Sequence, residues 1–284
     1  AFPARCLQAV FMKKRMLYLR KTPVQSAFII YLLALGLILF PTQWLGDLFF
    51  AEEKMAVLFG LGGMRVVMGA VMALIAVHTG FSASFLPRSV KGVLLALPAV
   101  LIAVNNLPIV ALARGDASLL YGGAYIAVFL FECLAVGFFE EVTFRGIVFP
   151  LLLQKTGTSV KGRFIAILGS AAMFGLLHAV NLLNGFSGAV FLQMGYSFLI
   201  GAMLAVAMFA GAGVIFCALV HGVYNFCGML ISELGQGGFS AIWNVPEIIL
   251  TAAVALAVIA YFVVFTLKSK GESARELIAL PEQE

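Results

Sequence analysis

Eight stretches of the sequence stay apolar for roughly twenty residues, the length a helix needs to cross ~30 Å of hydrocarbon. They fall at 27–47, 62–86, 92–113, 119–145, 164–183, 188–210, 213–232 and 247–267. Inside hydrocarbon every backbone N–H and C=O must be bonded within the protein, so continuous runs of this length are expected to be helices. The expected fold class is therefore all-α: a polytopic membrane helical bundle of about eight transmembrane helices around a polar intramembrane cavity. Composition agrees, with 63% of the 284 residues hydrophobic and only 11% charged, against about 25% charged in soluble domains. The net charge of +5 does not point to nucleic acid, because Lys and Arg sit between the apolar runs, as they do in membrane proteins.

Those basic residues also predict orientation. Lys13, Lys14, Arg15, Arg20 and Lys21 precede the first run, and Arg88 and Lys91 separate the second from the third. Lys155, Lys161 and Arg163 lie between the fourth and fifth, and Lys268 and Lys270 follow the eighth. The alternate loops carry Glu52, Glu53, Asp116, Glu233 and Glu247 instead. With eight spans, both termini are expected on the cytoplasmic side of the membrane. The chain divides into a basic segment over 1–25, read either as an interfacial helix or as a plain solvated topology signal, a membrane domain over 26–270 and a cytoplasmic tail over 271–284. Cys6, Cys133, Cys217 and Cys227 show no CxxC spacing and read as small buried residues, not a disulfide or metal framework.

Few polar groups lie deep in these runs, and each is costly unless it faces the interior. In "GFFEEVTFRG", Glu141 and Arg145 are four residues apart and share a helix face, where they can pair. Glu140 points about 100° away and is left to serve as a general acid–base. His178 in "FGLLH" and His221 in "HGVYN" are two of only three histidines, and Asn225 follows His221 by four. Phe174 precedes His178 by four on its face. Helix rise puts Glu140, His178 and His221 at about 22, 22 and 15 Å from the basic boundary, close enough in depth to share one site. A carboxylate and an imidazole can hold and deprotonate water, while an imidazole and an amide can donate to an oxyanion. That set describes amide hydrolysis without a serine or cysteine nucleophile.

"EEVTFR", "FGLLH" and "HGVYN" match EExxxR, FxxxH and HxxxN, in that order and on successive segments. In this the chain resembles the CPBP family of intramembrane proteases, which includes type II CAAX prenyl endopeptidases and bacterial bacteriocin-processing relatives. The motif-bearing core is 119–230. The resemblance implies that Glu140 and His178 activate the attacking water, that His221 and Asn225 form the oxyanion site, and that Glu141 and Arg145 support them. It implies a peptide or protein substrate, prenylated or membrane-anchored, and no nucleic acid partner.

Other readings stay open. Glu140, His178 and His221 are a candidate Zn²⁺ ligand set with water as fourth ligand, although HExxH is absent; the reading favours no cofactor. The same groups would also suit a proton-coupled transporter, and a non-catalytic scaffold or immunity protein is the third alternative. Cys133 lies about two turns before Glu140, but a buried apolar thiol is usually inert. His78, near the end of the second run with Arg65 at its start, reads as interfacial, and Glu132 reads either as a partner behind the catalytic groups or as a carboxylate lining the cavity for substrate. The length from Leu119 to Lys155 predicts a break near Gly146 or Pro150, with "IVFPLLL" re-entrant or interfacial.

Overall fold

A computed structural model describes residues 19–238 and 242–279. Most of the basic N-terminal segment, where an interfacial helix was one expectation, lies outside the described residues. The helices are α1 (Pro23–Ile38), α2 (Gln43–Asp47), α3 (Glu53–His78), α4 (Val90–Ala96), α5 (Pro98–Asn105), α6 (Ile109–Arg114) and α7 (Gly123–Thr143). They continue with α8 (Phe149–Thr156), α9 (Val160–Leu177), α10 (Gly188–Ala210), α11 (Gly213–Leu234), α12 (Val245–Lys268) and α13 (Glu272–Ile278). Ser118–Leu119 and Gly235–Gln236 form a two-residue antiparallel bridge. The chain is an all-α polytopic membrane bundle.

Among the described residues six helices are long and apolar enough to cross a membrane, or seven if the bent pair Val90–Ala96 and Pro98–Arg114 is one span. The expected eight are not all present at full length. Pro23–Ile38, with 16 residues, is about 24 Å long and falls short of the hydrocarbon thickness. The third span bends by 45°, where Pro98 cannot continue the hydrogen-bond ladder. The second span runs over Glu53–His78 and not 62–86. Its N-terminus is set by Glu52, whose carboxylate accepts from the N–H groups of Lys54 and Met55, a cap that tolerates charges in the first turn.

The expected break at "IVFPLLL" is also replaced. Residues Gly123–Thr156 form one 34-residue helix, roughly 50 Å long, with a π-helical turn over Phe144–Val148. Pro150 lacks an N–H, and its ring would crowd the carbonyl four residues back. The widened turn lies directly ahead of it, so the helix is re-threaded without a break. Ile147, Val148, Phe149 and Leu151 are fully buried in protein, neither interfacial nor re-entrant.

The core is α7 with α3 and α11 against it. A Cβ built on Gly137 would lie 2.6 Å from the Ala218 carbonyl oxygen and 2.8 Å from the Gly222 nitrogen. The two backbones therefore meet where only hydrogen fits, the small-residue contact common between membrane helices. This contact brings the Glu140 turn of α7 beside His221 on α11. Gly137→Ala should push the two helices apart and cost about 1–3 kcal/mol, as overpacking does. It should lower both the thermal midpoint in detergent and any activity; an unchanged midpoint would show that α7 and α11 do not depend on this approach.

At one end of the bundle arginines tie α13 to the helix termini. Arg20 donates to the carbonyl of Ile278 and to Gln154. Arg88 donates to the Ser273 and Met208 carbonyls and pairs with Glu276. Arg163 Nη1 donates to the Ser269 carbonyl at 2.8 Å. At the other end Lys54 pairs with Glu233 at 3.7 Å.

Candidate active site

Four of the polar residues nominated in the spans, Glu140, His178, His221 and Asn225, line one cavity of about 340 Å³ together with Arg65 and Glu132. Glu140 and Glu141 end α7, Arg145 sits in the π turn, His178 closes α9, and His221 and Asn225 are one turn apart on α11.

Glu141 is the electrostatic centre. Its Oε1 lies 3.0 Å from Arg145 Nη1 and 2.8 Å from His221 Nδ1. Both Glu141 and Arg145 are completely buried. The Arg145 contact is an ion pair by distance; it is not aligned as a hydrogen bond, since all three guanidinium nitrogens lack a hydrogen-bond partner. Part of that charge rests on Phe174, whose ring centre is 4.7 Å from the guanidinium carbon, a cation–π contact. The spacing on α7 predicts the Glu141–Arg145 pair; nothing in it points to the His221 bond, which joins two helices.

That bond decides what His221 can do. An ionised carboxylate only accepts, so the proton lies on Nδ1, assigned from the bonding partner. Nε2 is thereby turned toward Glu140, with Oε2 3.6 Å away. Glu140, expected to stand alone, has His221 as its neighbour. No hydrogen bond joins Glu140 to His178 among the described residues.

His178 is oriented in the same manner. Its Nδ1 lies 3.1 Å from the Phe174 carbonyl, which leaves Nε2 as an acceptor facing the cavity. Ser197 Oγ is 3.5 Å from Nε2, at the outer limit of a hydrogen bond. Phe174 packs edge-to-face on both imidazoles, at 5.1 Å from His178 and 5.6 Å from His221. One aromatic ring thus touches Arg145, His178 and His221 and sets their mutual positions. Asn225 lines the cavity beside them.

Ser197 and Arg65 are among the lining residues that sequence reasoning did not place in the site. Ser197, in "GYSFLI", is a lone hydroxyl in an apolar span, and that polarity is the signal that it faces inward. Arg65, expected at the start of its span, is buried midway along α3 and lines the cavity. Glu132, two turns before Glu140, lines it too, and its Oε2 has no hydrogen-bond partner. Cys133 also reaches this wall, but no imidazole hydrogen-bonds to it among the described residues. For zinc, the fit is poor: among the described residues no three His, Cys, Asp or Glu side chains gather as metal ligands.

Comparison with known proteins gives one match. The family model described as Rce1-like, type II CAAX prenyl endopeptidase Rce1-like, covers residues 122–227, from the start of α7 to just past Asn225. No curated protein and no solved structure matches the chain. The matched stretch contains Glu140, Glu141, Arg145, Phe174, His178, His221 and Asn225. Residues 122–227 are thus similar to the Rce1-like, type II CAAX prenyl endopeptidase family, in a chain built as an integral membrane protein.

Proposed function

We propose that the chain is an intramembrane endopeptidase that hydrolyses a peptide bond in a prenylated or otherwise membrane-associated substrate. The observation that carries this reading is the convergence of Glu140, His178, His221 and Asn225 on one cavity inside the bundle. Water held between Glu140 and His178 Nε2 attacks the carbonyl carbon and gives its proton to Glu140. The oxyanion that forms accepts hydrogen bonds from Asn225 and from His221 Nε2. With Nδ1 bonded to Glu141, Nε2 carries a hydrogen only when the ring is an imidazolium. Glu141 on one side of that ring and the oxyanion on the other balance its charge. Collapse breaks the C–N bond, and the proton passes from Glu140 to the leaving amine. Glu141 and Arg145 hold the imidazole in place; no metal takes part.

A lipid-bearing substrate has separate support. A second cavity of about 350 Å³ between α5, α9, α10, α11 and α12 is almost wholly apolar and shares Tyr196, Ile200 and Tyr224 with the first. It suits a hydrocarbon chain attached near the scissile bond. Burial of about two methylenes there is worth about tenfold.

Detergent-purified protein should cleave a prenylated peptide with kcat/KM at least about tenfold above its unprenylated form, and dialysis against chelator should leave that rate unchanged. Equal cleavage of both peptides removes the lipid part of the reading. Activity lost to chelator and restored by zinc removes the metal-free part. No cleavage, with proton uptake by reconstituted vesicles, would favour a transporter.

A further inference from the structure

Arg65 is a buried cation for which the mechanism above has no use. It is the thirteenth of the 26 residues of α3, about 19 Å along the helix, and is only 7% exposed. An arginine at such depth is expensive and normally finds an anion. Arg145, the other arginine of the cavity region, has Glu141 at 3.0 Å. Arg65 has no carboxylate within salt-bridge distance among the described residues. Its Nη1 reaches the Leu37 carbonyl at 3.3 Å and Met68 Sδ at 3.2 Å, and its Nη2 reaches the Ile38 carbonyl at 3.5 Å. The two carbonyl bonds are weak and reach the negative end of α1, and the third stays within α3. They orient the guanidinium without neutralising it, and of its five donors they leave Nε–H and one Nη2 hydrogen unused.

The side chain is also held in place. A Cβ on Gly62 would lie 2.7 Å from the Phe131 ring, and one on Gly69 would lie 2.5 Å from the Phe138 ring. Two glycines flanking Arg65 thus press α3 onto α7. The guanidinium carbon stands 5.3 Å from the centre of the Phe139 ring, next in sequence to Glu140. Glu132 and Glu140 act on it across the cavity, yet neither closes on it.

We propose that Arg65 binds a carboxylate of the substrate and so determines specificity at its end of the catalytic cavity. The proposal rests on the peptidase reading. A guanidinium with two adjacent free donors matches a carboxylate's two oxygens, and a peptide offers that group at its C-terminus or on an Asp or Glu side chain. The incoming carboxylate completes the contact that Glu132 and Glu140 leave open.

The test uses one cleavable peptide as the free acid, as the C-terminal amide, and with its acidic side chains changed to amides. The intact protein should lose about ten- to a hundredfold in KM on the form lacking the bound carboxylate, the worth of a charge-assisted pair, with kcat little changed. The form that suffers identifies the source. Arg65→Gln should raise KM for the acid peptide by a similar factor and should cleave acid and amide forms alike. Equal KM for all three peptides with the intact protein overturns the proposal, whatever the variant does. An Arg65→Gln protein that is slower on every peptide yet keeps the preference for the acid assigns Arg65 a purely structural role. Failure of the intact protein to cleave any of the three defeats the peptidase reading itself, a different result from lost discrimination.

Discussion

Glu140→Gln and His178→Ala each lower peptide cleavage by about 10²–10⁴-fold, the range for loss of a general base, and leave the protein folded. Gln is isosteric with Glu and keeps a carbonyl oxygen toward His221, so the packing of α7 on α11 survives. Removing the His178 ring opens a small gap beside Phe174, which leaves the Glu141–Arg145–His221 set untouched. A thermal melt in detergent separates this outcome from simple unfolding. If both residues hold one water, the double variant is little worse than either single one, since groups that act as a unit are not additive. Additive losses would mean two separate roles. Cleavage near the starting rate by Glu140→Gln would remove Glu140 as the base, and by His178→Ala would remove His178 as the group that holds the water.

The parts of this site that were legible beforehand are those governed by one helix. The i,i+4 spacing of Glu141 and Arg145, and of His221 and Asn225, fixes which side chains share a face; the first two are paired in the structure and the second two line one cavity. Contacts between helices carry no such signature. The bond from His221 to Glu141 depends on how closely α11 approaches α7, which Gly137 and Gly222 set, and neither glycine differs on paper from the chain's others. Arg65 was misplaced for another reason. Reading an apolar run from 62 excluded Glu53 and Lys54, so Arg65 fell at a helix end. The capping carboxylate of Glu52 starts the helix nine residues earlier and moves Arg65 to its middle. Pro150 misled in a third way. A proline stops an α-helix of normal pitch, whereas a π turn ahead of it gives the ring room.

His221 and Asn225 carry the remaining large effect. A donor to an oxyanion acts on charge that appears only as the carbonyl is attacked, so its loss falls on kcat and hardly on substrate affinity. Asn225→Ala is expected to lower kcat by about 10²–10³-fold, equivalent to about 3–4 kcal/mol, with KM little changed. Asn225→Asp should be at least as damaging, because a carboxylate there repels the developing negative charge. His221 differs from Asn225 in one respect the structure makes plain: its Nδ1 is held by Glu141 at 2.8 Å. His221→Ala therefore removes a donor and also strips Glu141 of its imidazole, leaving a buried carboxylate with Arg145 alone. It should lose stability as well as kcat, while Asn225→Ala loses kcat only. Glu141→Gln probes the same link from the other side: it keeps an oxygen for Nδ1 but removes the negative charge behind the imidazole, so kcat falls although Glu141 lies away from the scissile bond. Measured kcat, KM and melting midpoints for the four variants decide the matter. A raised KM with kcat intact in Asn225→Ala would make Asn225 a substrate-binding group, and the oxyanion site would then have to be built without it.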